Sequence, residues 1–278
     1  DTEPSTLTVL LNQALRVACR YAGGHTRRVL LEHLVGDDST GPSKQAAPTV
    51  LHGGWGRLRA AAPGSDAQIV RARAWLEAAG QARLIGETGS ARAAARAREI
   101  LDGALPGLEL DADMRWRALT ALARLGAVST DELEAQRKAD PTASGVTHHL
   151  QASSSMPRQD LKVEVFDRLL GDTALSNDHI DALLAGFAVD AHRELTAAFT
   201  LRYLQELPGL WSGRGQEIAT RLVVGLFPAC GDEADAQAVE DWLATHPEAP
   251  SALRRLVLKS LDDLQRALTA RRTGSEDL

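Results

Sequence analysis

The chain has only two cysteines in 278 residues, Cys19 and Cys230, more than 200 positions apart and with no CxxC or histidine cluster around either. That excludes a disulfide framework and a cysteine-based zinc site, and it points to a reduced setting. Aromatic side chains are scarce too, 11 in all. Uninterrupted apolar runs stop after a few residues, as at Leu222 to Leu226 with Phe227, far short of the ~20 needed to cross a bilayer. An excess of positive charge is also missing. The 37 acidic residues outnumber the 31 basic ones, and a formal charge of −6 gives no general attraction to nucleic acid or anionic lipid. Position 1 is Asp and the first turn is acidic and polar, unlike the basic then apolar start of a secretory signal. The expectation is a cytoplasmic protein and a piece of something longer.

What the chain does have is alanine and leucine. Together they supply 87 residues, against 31 for isoleucine, valine and all aromatics combined, a balance that favours helix over strand. The periodicity agrees. Leu7, Leu10, Leu11, Ala14, Leu15, Ala18 and Tyr21 form one stripe behind Pro4 and Ser5, and Leu253, Leu256, Val257, Leu261, Leu264 and Leu268 form another near the end. Between them the pattern predicts helices at roughly 25–35, 47–61, 66–80, 91–102, 112–125, 130–139, 142–153, 158–170, 177–186, 191–207, 215–227 and 233–245. Breaks are expected at Gly36 to Pro48, Gly103 to Asp113, Leu207-Pro208-Gly209, Phe227-Pro228 and His246 to Pro250. Short helices on short turns must pair antiparallel, and two-helix units of roughly 30 to 45 residues fall in the range of HEAT, armadillo and tetratricopeptide arrays. The expected fold is therefore all-α. It is read as an irregular α-solenoid of helix hairpins forming a single domain over 1–278, with a flexible tail at about 273–278.

The usual catalytic constellations are missing. There is no HExxH, GxSxG, Walker loop or GxGxxG. His25 and His33 are eight apart, too far to share an ion on an unbroken helix, and the adjacent His148 and His149 diverge by about 100°. The Ser153-Ser154-Ser155 run reads as a helix end, and Gly213-Arg214-Gly215 as a turn. Arg92, Arg96 and Arg98 sit in an alanine-rich helix with little counter-charge, and Arg27-Arg28 and Arg254-Arg255 form pairs near helix ends. Such guanidinium groups suit a peptide carboxylate, and equally a solvated helix face with local acidic partners. Trp75, Trp116 and Trp242 read as core anchors. Trp55 and Trp211, in glycine-bearing turns, read as packed at seams.

From Leu101 onward a family resemblance emerges. Leu101-Asp102-Gly103, Pro106-Gly107-Leu108, then Asp111 and Asp113 leading into Arg115-Trp116-Arg117 and Leu119 to Gly126, resemble the C-terminal helical domain of aminopeptidase N type zinc metallopeptidases, in their actinobacterial branch. Trp211 with Arg214 and Glu217, Gly225-Leu226-Phe227-Pro228, Ala252-Leu253-Arg254-Arg255 and the upstream Pro63-Gly64-Ser65-Asp66 extend the likeness over nearly the whole chain.

The resemblance implies a HEAT-like domain behind a thermolysin-like catalytic domain of the same polypeptide, which would carry HExxH, its third glutamate ligand, GxMEN and the zinc. None of those motifs occurs here, so no catalytic or metal residue and no cofactor is assigned to this chain. It is predicted to be inactive alone. The implied role is to enclose the active-site cavity and gate peptide entry, with the peptide substrate as partner and with neither nucleic acid nor membrane. Arg115 and Arg214 are the substrate-proximal candidates. The alternative is a free-standing helical scaffold that binds protein partners. The Ala91 to Arg98 segment and the Gly36 to Pro48 loop have no role in the resemblance.

Overall fold

The structure, a computed structural model, describes residues 3–36 and 53–276, and every regular element among them is helical. The first half runs α1 (Pro4–Arg16), a π-helical turn (Val17–Tyr21), α2 (Gly24–Val35), α3 (Gly54–Arg59), α4 (Asp66–Ala79), a 3₁₀ turn (Ala82–Ile85), α5 (Glu87–Leu101), α6 (Ala112–Leu125), α7 (Thr130–Ala139) and α8 (Ala143–Ser154). The second half begins with α9 (Gln159–Gly171) and α10 (Asn177–Phe187). A broken strap at 188–199 follows, in which α11 (Arg193–Thr196) lies between 3₁₀ turns at Asp190–His192 and Ala197–Phe199. The chain then forms α12 (Thr200–Gly213), α13 (Gln216–Gly225), α14 (Glu233–Thr245) and α15 (Ser251–Glu276).

Local chemistry sets many of the starts. The side chains of Ser65, Asp111 and Thr142 accept first-turn amides from Gln68 (3.2 Å), Met114 (2.7 Å) and Gly145 (3.0 Å), satisfying donors that a helix leaves free. Asp232 and Asp235 close a reciprocal capping box on α14. Gly126 ends α6 with φ 72°, a conformation that costs a side-chain-bearing residue a Cβ clash.

Packing follows an alternating rule. α4, α6, α8, α10, α13 and α15 lie side by side in that order, and α5, α7, α9, α12 and α14 fill in as their partners. The row returns on itself. α15 packs against the π turn and α2, and Arg271 Nε donates to the Arg20 carbonyl at 2.7 Å across 251 positions.

Two apolar cores result, one built from residues between Ala18 and Met156 and the other from residues between Val165 and Leu268. Where the halves meet, several of the buried residues are polar: Gln81, Arg124, Ser154, Ser155, Lys162 and His192. Lys162 Nζ donates to the carbonyls of Ser154 (2.8 Å) and Gly186 (2.6 Å), one from each half. Gln81 Oε1 accepts the Ala191 amide (3.0 Å), and His192 Nε2 donates to the Arg124 carbonyl (2.8 Å). The strap therefore ties α10 and α12 back to the first half.

Several boundaries differ from the sequence expectation. α5 starts at Glu87, four residues before the expected 91, because Gly86 with φ 89° turns the chain into it directly. The expected break at Leu207-Pro208-Gly209 does not occur. α12 continues to Gly213 because Leu204, Leu207 and Leu210 bury one stripe across the proline and hold it despite the lost amide. The helix expected over 191–207 is instead the broken strap followed by α12, since Ala191 and His192 turn inward to the polar layer. Of the helix expected at 47–61, α3 covers Gly54–Arg59, and positions up to 52 lie outside the described residues, as does most of the Gly36 to Pro48 loop. α15 extends to Glu276, into the stretch expected to be a tail.

Two glycines test this packing. A Cβ on Gly186 would sit 1.8 Å from Ser154 Oγ, so Gly186→Ala is expected to cost about 1–3 kcal/mol through overpacking of α10 on α8. Gly209 meets nothing within 4 Å, so Gly209→Ala should instead stabilise α12 by about 0.5–1 kcal/mol. Urea denaturation midpoints of the two variants check both signs.

Candidate functional site

A concavity of about 340 Å³ opens where α10 and α13 both end against the strap. Its floor is apolar, made by Leu184, Phe187, Phe199, Val224 and Phe227, and its rim carries Arg20, Asp190, Arg193 and Cys230. A second cavity of about 120 Å³ shares Arg20, Val224, Phe227 and Ala229 with it and continues to Ser260 and Asp263 of α15. The two form one groove running from the strap, over the end of α13, to α15 and the π turn. A π turn inside a helix is a departure from regular backbone that recurs at functional positions.

The rim is an ion-pair network. Arg20 Nε lies 3.6 Å from Asp190 Oδ1, and Cys230 Sγ donates to the same oxygen at 2.8 Å. Arg193 binds Asp232 (3.2 Å) and the buried Asp235, which also accepts from Thr200 at 2.6 Å. Burial first, and the neighbouring Asp190 second, push the Cys230 thiol up, and burial pushes Cys19 up to about 12. Neither thiol is a nucleophile at neutral pH. What the groove can do is bind. An apolar floor beside guanidinium groups suits a side chain with a polar or charged end.

The arginines singled out in the sequence mostly tie down helix ends. Arg214 donates to the carbonyls of Leu170 (2.6 Å) and Asp172 (3.0 Å) at the end of α9. Arg254 does the same for Leu243 (2.8 Å) and His246 (2.7 Å) at the end of α14. Arg98 reaches the Ala127 carbonyl (3.0 Å) and Glu132, while Arg96 pairs with Glu99 (2.7 Å) and lies over the Trp55 ring. Arg115 is half-buried, and its guanidinium makes no hydrogen bond or ion pair among the described residues. The structure does not bring Arg115 and Arg214 into one site: they lie on α6 and just after α12, in different halves. Trp55 is buried against Trp75, with ring centroids 4.7 Å apart, as a packing residue.

His149 Nε2 approaches both Ser153 Oγ (3.2 Å) and Glu134 Oε1 (3.0 Å), with His148 and His149 both against Trp116. This superficially resembles a nucleophile, base and orienting acid. A relay needs the two partners on opposite ring nitrogens, and here both face the same one. Among the described residues no group of three or more His, Cys, Asp and Glu could hold a metal ion.

Sequence reasoning missed Lys162. It is fully buried, and burial, with Arg124 adding to the effect, pushes its ammonium down to about 7. A signal was present. Lys162 shares the i, i+3, i+4, i+7 stripe of Val165, Phe166 and Leu169, a place where a lysine is out of character.

Comparison with known proteins adds two findings. The family model of the ERAP1-like C-terminal domain matches residues 28–266. Aminopeptidase N of Streptomyces lividans is 36% identical over 216 residues, which is 77% of this chain and 24% of that protein. The chain thus spans about a quarter of the length of the relative it matches.

For the arginines, Arg214→Ala is expected to lower stability by about 1–2 kcal/mol, since two half-buried carbonyls lose a charged donor. Arg115→Ala should stay within about 0.5 kcal/mol of the parent. Thermal and denaturant melts of both variants measure the difference.

Proposed function

Because the chain belongs to the ERAP1-like C-terminal domain family, we propose that it is the non-catalytic C-terminal portion of a zinc aminopeptidase that removes N-terminal residues from peptides. In this reading it partners a catalytic domain on the same polypeptide in the cytoplasm, and the zinc resides there. The helical domain encloses the active-site cavity and gates peptide access, as an array whose small inter-helix adjustments sum along its length. Its inner face meets the far end of the peptide.

The observation that carries this is the 36% identity to an aminopeptidase N about four times as long as the matched segment. The groove supports it, offering an apolar floor and guanidinium groups to a segment of peptide. Val9 and Leu10 of α1, each 54% exposed, support it as well, since they leave apolar surface for an adjoining domain to cover. Of the two arginine candidates, Arg115 is the one whose guanidinium has donors to spare for a peptide carboxylate, because Arg214 spends its own on α9.

Two measurements test this. The isolated chain should not hydrolyse aminoacyl-nitroanilides and should bind no stoichiometric zinc; turnover that survives repurification and depends on metal would overturn the reading. Joined to its catalytic portion, it should change the preference for peptide length. Identical length profiles with and without it would remove the gating role.

A further inference from the structure

The strap at 188–199 has two faces. Ala191 and His192 point into the polar layer between the cores, while Val189, Asp190, Arg193 and Thr196 line the groove. Its inward side is held on the first half by the Ala191 amide to Gln81 and by His192 to the Arg124 carbonyl. That contact layer is incompletely paired. His192 Nδ1 and Arg124 Nε are buried with no hydrogen-bond partner among the described residues, and each such orphan weakens the docked arrangement. At the foot of the strap, Lys162 Nζ is bonded to the carbonyls of Gly186, two residues before it, and of Ser154, and has no carboxylate within ion-pair distance among the described residues.

We infer that the strap is a proton-sensitive latch: docked, it seals Lys162 from water, and a proton on Lys162 favours its release, which reshapes the groove on its other face. Desolvation sets the direction. An ammonium held by neutral carbonyls in an apolar interior gives up hydration without gaining a counter-charge, and a released strap restores that hydration.

The charged neighbours reinforce the direction. α8 and α10 present backbone carbonyls to Lys162. α6 presents Arg124, itself paired with Glu77 at 2.5 Å, and the strap presents His192, which burial and then the charge of Lys162 push down to about 3. Farther out, Asp190 faces Arg20, Glu194 faces Arg83 (3.8 Å), Arg193 faces Asp232 and Asp235, and Asp167 of α9 faces Arg202 of α12 (2.5 Å). Near Lys162 the ionic neighbour that acts on it is therefore another cation.

The sign follows from linkage. Lys162 has a folded value of about 7 against an ordinary value of 10.5, so the open form binds more protons between those limits. Through Lys162, docking strengthens as pH rises from 7 toward 10.5, and His192, held at about 3 when docked against an ordinary 6.5, gives the same sign in the lower window between those values. His192 acts below its ordinary 6.5, and Cys230, raised while docked beside Asp190, opposes the trend only near and above its ordinary 9.0, so Lys162 dominates the slope between pH 7.5 and 8.5.

The latch is a property of this chain and stands whether or not the groove receives a peptide. Amide hydrogen exchange of the 278-residue chain tests it, with rates converted to protection factors to remove the intrinsic pH dependence. The Ala191 amide and its strap neighbours should exchange through local opening, with less protection than buried amides of α6. Their protection should rise roughly five- to tenfold between pH 7.5 and 8.5. Lys162→Met, which keeps the length and cannot charge, should abolish that slope. Three results overturn the proposal: strap protection in the unmodified chain independent of pH, strap amides exchanging only by global unfolding, or the same slope in Lys162→Met. Should that variant not fold, the first two decide from the unmodified protein alone.

Discussion

Polar groups can be withdrawn from water only where something replaces the water, and this fold concentrates that constraint in one place. Each apolar core is closed by leucine, alanine and aromatic side chains, yet the surface on which the cores meet carries a lysine, an arginine, a histidine, a glutamine and two serines. Backbone carbonyls at the ends of α6, α8 and α10 serve as the replacement acceptors. The arrangement fixes how α8 and α10 approach, because Gly186 must stay bare for Ser154 and the Gln151 carbonyl to come so close. It also dictates the course of the strap, whose helical path is broken so that Ala191 and His192 can face inward.

Arginine does for the periphery what the carbonyls do for the interior. Helix C-termini leave carbonyls unpaired and slightly negative, and a guanidinium answers both conditions with several donors and a charge. Arg214, Arg254 and Arg271 each reach such a carbonyl on a neighbouring element. An arginine-rich, lysine-poor composition is thus put to structural use. A sequence reading that takes arginines as ligand clamps counts donors already committed within the fold.

The helical class and most helix positions were legible in the sequence, because leucine and alanine stripes and capping residues act locally. Trp75, Trp116 and Trp242 were legible as anchors for the same reason. The family was legible from ordered short motifs around Trp116, Trp211 and Phe227, and the comparisons agree with it. The groove was not. Its floor and rim come from α10, the strap, the end of α13, the π turn and α15, and no local pattern announces that Arg20 will stand beside Asp190. The continuation of α12 through Pro208 was hidden because tertiary burial of Leu207 and Leu210 outweighs one lost backbone bond. Lys162 was visible as a misfit on its stripe, but its partners lie on other helices, so its role could not be read along the chain.

The bond from Arg271 to the Arg20 carbonyl, with α15 lying on α2 and the π turn, gives the array no free ends. In an open repeat stack the terminal units fray first and independently, and melting proceeds inward from either side. Here, loosening the π turn or α2 strips support from α15, so disorder near one terminus is felt 251 positions away and the chain is set to melt cooperatively.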